Sequence, residues 1–408
     1  MKRLISINVH YSPRSFGGAT IVAEEVNQIL AKDFGWTVCV ITTDQNKDLL
    51  PYQVSRYRSK GVTVISINAP KKITQDEQLE HLKMGRIIED IVDVFRPSVV
   101  HMHAIQTMGV DFINRLKSGG IKMAATLHDC WWLCERQFMI NKHGKYCFQQ
   151  IIEKNVCMHC VDDSSFLNRR WNTLRDSLND IDLLLFPSEF HRGMHVINAI
   201  DADKCRVNKN GVRFPDKELD KVSSSDVRFG FIGGPGFIKG GELITEVFEK
   251  LKGNYELKLV NAAQNVGSSW EKDFKKILKN KRVQLIDAYD QDTMNDFFAN
   301  IDVLLFPSQW KESFGLTVRE AMVRHVWVIS TESGGTIEDM RNGENATVIP
   351  LSTETKYLEE AVKACMSRDW TSYKNPYVSE IKSYQDQAEE VNRYFEELLV
   401  PAVAAVEE

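Results

Sequence analysis

Ile301-Asp302-Val303-Leu304-Leu305-Phe306-Pro307-Ser308 is a short apolar run closed by a proline and a serine. It is too brief for an ordinary helix and apolar at consecutive positions, so it reads as a strand of a parallel sheet covered on both faces. Residues 315–324 then read as the opening of a helix, which puts residues 311–317 at a strand-to-helix mouth, where open parallel sheets bind ligands. Earlier in the chain, Ile181-Asp182-Leu183-Leu184-Leu185-Phe186-Pro187-Ser188 repeats the run almost letter for letter. Two copies of one strand argue for two domains of one architecture. Chance recurrence of apolar residues is the weaker reading, because the Asp, the Phe-Pro-Ser ending and the length are all shared.

Working outward, residues 3–9 read as a first strand, followed by a loop with Gly17-Gly18 and a helical pattern over 20–34. Strand-like runs at 37–42, 62–67, 98–101 and 122–127 alternate with helical segments at 78–95, 108–117 and 169–179. The second half repeats the alternation, with strands at 226–232, 256–261, 282–286 and 326–330. The pattern predicts an α/β fold of doubly wound parallel sheets. Asn210-Gly211-Val212 is a turn signal between the halves. It divides the chain into 1–209 with a returning helix in 384–408, and 210–383. The irregular segment 130–163 is expected in the first domain, and the Glu-rich helix over 384–399 is expected to pack back on it or to stay solvated.

The chain has 408 residues, more than one compact core accommodates. Lys and Arg number 51 against 56 Asp and Glu, a formal net charge of -5 with no long block of either sign, which disfavours nucleic acid as a partner. No stretch approaches the ~20 apolar residues of a spanning helix, and the N-terminal apolar run is too brief and polar for a secretion signal. A soluble, cytoplasmic protein is expected. Eight Cys suit a reducing compartment without a disulfide framework.

Glu312 and Glu320 stand out at the predicted mouth. The amides from Ser313 to Thr317, over Phe314, Gly315 and Leu316, are expected to receive phosphate oxygens, because a helix start has unpaired N–H groups and a positive dipole end. Glu320 would then reach a ribose and Glu312 a sugar, although two acids at this spacing also describe an ordinary solvated helix. Gly233-Gly234-Pro235-Gly236-Phe237-Ile238-Lys239-Gly240-Gly241 is a glycine-rich loop with one Lys at the helix start; backbone donors would cradle a phosphate that the ammonium neutralises. It lacks the Gly-Lys-Ser/Thr order of a Walker A loop. Ser333-Gly334-Gly335-Thr336 is a further glycine turn at a strand end. In the first half, Gly17 and Gly18 are either a ligand-approaching loop or a plain turn. His128 and Asp129 arrive at the end of strand 122–127, as site residues or as a structural pair, and His101 and His103 are weaker candidates for the same place. Cys134, Cys147, Cys157 and Cys160 end in Cys-x2-Cys and read either as a structural zinc site, with His159 as a spare ligand, or as four thiols in an irregular insertion. Arg56, Arg58 and Lys60, with Tyr52 and Tyr57, read as a solvated face, with a membrane surface or an acidic acceptor as the alternative.

These residues resemble retaining glycosyltransferase family 4 over nearly the whole chain. The likeness is carried by Glu312-Ser313-Phe314-Gly315-Leu316-Thr317 through Glu320-Ala321-Met322, by Ser333-Gly334-Gly335 with Glu338, by Gly233 to Gly240, by Gly17-Gly18 and by His128-Asp129. The segment from His128 to Cys134, with the later cysteines, is similar to an insertion in bacterial members that build surface polysaccharides such as capsule or lipopolysaccharide. The resemblance implies the GT-B fold: two facing Rossmann-like doubly wound parallel-sheet domains with an interdomain cleft, acceptor-binding first and donor-binding second. It implies a hexosyl or related transferase moving a sugar from a nucleotide-diphosphate donor to a glycan or lipid-linked glycan hydroxyl, with the anomeric configuration kept and no divalent metal required. A lipid-linked acceptor would bring it to the inner face of the membrane. Lys239 and the amides near Gly18 would hold the diphosphate, Glu320 the ribose, Glu312 and the amides from Phe314 to Leu316 the sugar, and His128 the sugar face near the reacting carbon. Two departures follow from the same comparison. Gly234 stands where family members carry an arginine, with Arg14 or Arg213 as substitutes, and His325-Val326-Trp327 stands where they carry Gly-x-Pro. A catalytically weak donor-binding or scaffold subunit of the same fold is therefore one alternative, and a sugar-nucleotide epimerase or phosphorylase another.

Overall fold

The computed structural model describes residues 1–400 except Phe16, Val222 and Ser223. The last eight residues of the expected segment 384–408 thus lie outside the described residues. The chain divides into two compact units, each described by itself: Met1–Met139 with Gln149–Gly211 and Tyr384–Glu408, and Ile140–Phe148 with Val212–Ser383. The insertion expected in the first domain is split, because Ile140–Phe148 groups with the second unit. Within this piece Ile140 pairs antiparallel with Tyr146 and the Asn141 carboxamide accepts from the backbone of His143 and Lys145.

Among the described residues, the first unit holds β1 (Arg3–Ile7), β2 (Thr37–Asp44), β3 (Val54–Ser59), β4 (Val62–Asn68), β5 (Val99–Met102), β6 (Lys122–Thr126), β7 (Leu183–Phe186) and β8 (Cys205–Val207). They form one sheet in the order β3-β4-β2-β1-β5-β6-β7-β8. All pairs are parallel except β3 with β4. That antiparallel edge strand corrects the reading of residues 52–60 as a solvated face alone. Its alternation of exposed and half-buried positions places Arg56 and Arg58 on an outermost strand, where charge discourages further pairing. Helices α1 (Gly18–Asp33), α2 (Gln75–Leu79), α3 (Leu82–Phe95), α4 (Asp111–Ser118), α5 (Lys154–Cys157), α6 (Ser164–Asp180) and α7 (Glu189–Val196) connect the strands.

The helix expected over 78–95 is two. A capping box between Thr74 and Glu77 starts α2 early, and the chain turns extended at Glu80 while the His81 N–H goes to the Asp111 carboxylate at 2.7 Å. The helix expected from 108 begins at Asp111, because Gly109 is left-handed, with φ 75°. Side chains of α3 and α4, among them Met84, Ile88, Phe112 and Leu116, share one core with Ile5, Ile7, Val100 and Met102 of the strands.

The second unit holds β9 (Val227–Phe231), β10 (Tyr255–Asn261), β11 (Val283–Asp287), β12 (Val303–Phe306), β13 (Trp327–Thr331) and β14 (Ala346–Ile349) in a parallel sheet ordered β11-β10-β9-β12-β13-β14. Its helices are α8 (Gly241–Lys250), α9 (Met294–Ala299), α10 (Leu316–Met322) and α11 (Thr355–Met366). Val303 and Leu305 of β12 enter one core with Phe248 and Val362, while Leu304 enters another with Phe298 and Met322. The strand is thus covered on both faces, as its unbroken apolar run requires. The last helix, α12 (Tyr384–Leu399), belongs to the first unit and lies against α1, with Asn392 accepting from the Trp36 indole at 2.9 Å and Phe395 edge-on to that ring.

Candidate active site

In the second unit the chain leaves β9 through the glycine loop and enters α8 at Gly240, whose φ is 80°. A Cβ at Gly240 would stand 2.1 Å from the Pro307 carbonyl oxygen, and one at Gly241 2.3 Å from the Gly234 carbonyl oxygen. The loop is thereby pressed against the exit of β12, where the Gln309 N–H also donates to the Ile238 carbonyl at 2.8 Å. Gly233 is closed off by the Phe231 ring, whereas the Gly234 side faces Trp270 at 3.5 Å. This packing aims Lys239 at Glu312: its Nζ lies 2.7 Å from Oε1 and 4.8 Å from the Trp310 ring centroid.

Glu312 is 8 % exposed, and the same Oε1 accepts from Ser308 Oγ at 2.7 Å and Trp310 Nε1 at 2.6 Å. Its backbone is held as firmly. The Glu312 N–H donates to Ser333 O at 3.1 Å, and Gly335 N–H donates to Glu312 O at 2.9 Å. The turn at residues 333–335 and the glutamate stretch are thereby one bridged unit. Arg319, to which the sequence pattern assigns no role, joins them further. Fully buried, it donates to Asp339 at 2.7 Å, to Gly335 O at 2.8 Å and to Phe314 O. The available signal was an arginine inside an otherwise apolar helix stripe, since a buried charge demands partners.

Gly315 caps α10 with φ 85°, facing Thr336 Oγ1 at 2.9 Å from a notional Cβ. Phe314 is buried, while Ser313, Leu316 and Thr317 remain half-exposed around the helix start. Glu320 is buried on the inner side of α10, accepts from Gln291 Nε2 at 3.3 Å, and has its carboxyl pushed up by burial, against the pull of the Gln291 hydrogen bond and the Arg324 charge. Neither suggested substitute for the missing arginine is uncommitted: Arg213 pairs with Asp292 at 2.6 Å, and Arg14, in the first unit, pairs with Asp44.

In the first unit, Gly17, with φ 78°, precedes Gly18 at the start of α1. β6 delivers His128 to its C-terminal end. His128 Nε2 and His103 Nδ1 share a hydrogen bond of 3.1 Å, their rings nearly parallel. His101 lies tilted against His103, ring centroids 4.1 Å apart, and meets Thr126 Oγ1 through Nε2 at 2.8 Å. Burial lowers all three imidazoles, His128 to about 4 and His101 to about 3. Asp129 is no acidic partner of His128. Its carboxylate caps the following turn, accepting from the Trp131 N–H at 2.8 Å, Gln137 at 2.6 Å and Gln106 at 3.3 Å.

The four-thiolate zinc expectation does not fit this geometry. Among the described residues no group of three or more His, Cys, Asp or Glu side chains is gathered to hold a metal ion.

The model for Glycosyltransferase Family 4 matches residues 16–214, and that for Glycosyl transferases group 1 matches residues 222–386. The chain belongs to glycosyltransferase family 4. This family 4 glycosyltransferase is 21 % identical over 351 residues to an uncharacterized 42.6 kDa protein in the cps region of Klebsiella pneumoniae, covering 82 % of this chain and 86 % of that one. It is 27 % identical over 216 residues to the capsular polysaccharide biosynthesis glycosyltransferase CapM of Staphylococcus aureus, covering 51 % and 53 %. Among solved structures, the sucrose-phosphate synthase of Thermosynechococcus elongatus superposes with a TM-score of 0.72 at 16 % identity, covering 98 % of this chain and 100 % of that chain. HepE of Anabaena in complex with UDP and glucose gives 0.64 at 14 % identity, covering 97 % and 100 %. These likenesses show the GT-B fold class. No helix among the described residues of the glycosyltransferase is long and apolar enough to cross a membrane.

Proposed function

We propose that this glycosyltransferase transfers a hexosyl or related sugar from a nucleotide-diphosphate donor to a glycan or lipid-linked glycan hydroxyl in the synthesis of capsule or a related surface polysaccharide, with retention and without a divalent metal. The observation that carries the reading is the 2.7 Å contact of Lys239 with Glu312, at the meeting of two glycine-bearing strand ends. Its support from relatives is the naming of CapM and the UDP held by HepE.

In this reading Lys239 and the first amides of α8 and α10 take the diphosphate, whose developing negative charge they stabilise as the bond breaks. Glu320 accepts from the ribose, and Glu312, with the amides from Phe314 to Leu316, binds the transferred sugar. The acceptor oxygen bonds to the anomeric carbon on the face the diphosphate leaves. The carbon–oxygen bond to phosphate breaks with its electron pair, and the acceptor's proton passes to a phosphate oxygen. Glu312 is a poor nucleophile, since three donors already occupy one of its oxygens. His128, in the first unit, is assigned to the transferred sugar.

A thermal-shift screen of UDP-, GDP- and ADP-sugars tests donor binding, because a donor at ~100 times its Kd adds about 2.7 kcal/mol to stability. Transfer assays on the hits, with Glu312→Ala as control, test turnover; wild type and variant equally inert over the whole panel would overturn the reading. The second reading, a donor-binding subunit without turnover, is favoured by Gly234 and by the pairing of both substitute arginines. Calorimetric nucleotide binding with no transfer in any acceptor mixture would select it.

A further inference from the structure

Beneath His128 lies a row of polar side chains that donor binding does not use. In the parallel register Ile7 pairs with Met102, and Met102 with Ala125, so Asn8, His103 and Thr126 follow side by side. Ser6, His101 and Ala124 form the preceding row on the same face. Asn8, His101 and His103 are buried, and both side-chain polar atoms of Asn8, Nε2 of His103 and Nδ1 of His101 lack partners among the described residues. Interiors rarely leave this many polar atoms under one strand end, and such groups are kept where they serve a site. At the open end of the row stands His128, half-exposed, with Nε2 bound to His103.

We propose that His103 is a positioning residue for His128: it holds Nε2, fixes one tautomer of the ring, and leaves Nδ1 as the nitrogen that meets the transferred sugar. The inference rests on the assignment of His128 to the sugar. Burial keeps both rings neutral, so a single N–H lies between them, and whichever ring carries it determines whether Nδ1 of His128 donates or accepts. A hydrogen-bonded neighbour that sets the tautomer and plane of an imidazole acts through orientation; removing such a support from a metal-bound histidine costs about 10–100-fold, and a loss of that order is expected here.

The test uses the full chain, with 15N-histidine NMR and donor-sugar turnover read in parallel. Wild type is expected to show His128 in one tautomer. His103→Leu is expected to mix the tautomers and to lower kcat by about 10–100-fold with the donor KM nearly unchanged. His103→Asn, whose amide occupies the place of Nδ1, is expected to restore one environment for His128 and most of kcat. An unchanged His128 signal and kcat in His103→Leu would overturn the proposal. Should His103→Leu not fold, a wild-type His128 that exchanges between tautomers overturns it equally. Full activity of His128→Ala would be a different failure, removing the role of His128 itself.

Discussion

Glu312 takes Lys239, Ser308 and Trp310 on a single oxygen, so its removal strands three donors as well as deleting the proposed contact to the sugar. Glu312→Ala is expected to lower transfer by about 10²-fold, the cost of letting the transferred sugar slip from its reactive geometry. It is also expected to cost about 1–3 kcal/mol of stability, from the partners left unsatisfied. Turnover and denaturant midpoints measured on one preparation separate the two effects. A variant that loses stability but keeps wild-type turnover would confine Glu312 to a structural role. Lys239 is 42 % exposed along its side chain, so its ion pair with Glu312 is screened and readily exchanged for a phosphate.

At the scale of elements, the two repeated runs do the same work with their aspartates and different work with their serines. Asp182 accepts from the Met123 N–H at 2.9 Å, and Asp302 from the Arg228 N–H at 2.9 Å, each tying its strand to the start of the neighbouring one. Ser188 caps α7 through the His191 N–H, whereas Ser308 donates to Glu312. The strand was legible in the residues; the division of labour between its copies was not. The departure at His325 is likewise absorbed. Its backbone is left-handed with φ 57°, a conformation that favours glycine, and it is held there by Lys221 donating to its carbonyl at 2.6 Å and by the Asn375 N–H on its ring at 3.2 Å. Trp327, two residues on, fills the core beside Trp370 and Tyr373. Gly240 allows no such accommodation, because it combines a positive φ with a backbone oxygen in the path of any side chain. Gly240→Ala is expected to destabilise by more than the roughly 1–2 kcal/mol of the left-handed backbone alone and to weaken donor binding by displacing Lys239. Unaltered denaturation and donor affinity would refute the tight packing of this loop.

At the scale of each unit, buried histidines dominate the first. Burial lowers His101 to about 3 and His128 and His195 to about 4, with His103 and His191 lowered further by histidine neighbours. The unfolded chain takes up these protons near pH 6.5, the folded chain only near 4 and below. Stability is therefore undiminished above pH 6.5 and falls as pH drops toward 4, by about 1.4 kcal/mol per pH unit for each histidine. Asp129 and Glu320, raised by burial, work in the opposite direction and soften the slope. Thermal unfolding followed from pH 7 to 4 should show the decline, and His195→Gln should flatten it; a level profile would refute it. Phe395 of α12 is fully buried, edge-on to Trp36 and to His101. Phe395→Ala is expected to cost about 3–5 kcal/mol, read as an earlier unfolding transition.

Local chemistry determined the alternation of strands and helices, the two-sided burial of residues 303–306, the glycine turns, and the strand-end positions of Lys239 and Glu312 from which the proposed donor site is argued. Those features depend on periodicity and on backbone freedom, which a linear pattern carries. Packing between segments distant in the chain decided the rest. It broke the helix at His81 with a carboxylate thirty positions away and placed β3 on the sheet edge. It also buried Arg319 between two loops and set His103 behind His128. Partners for a buried charge or ring are chosen by which strands lie side by side, and that order exists only once the chain has folded.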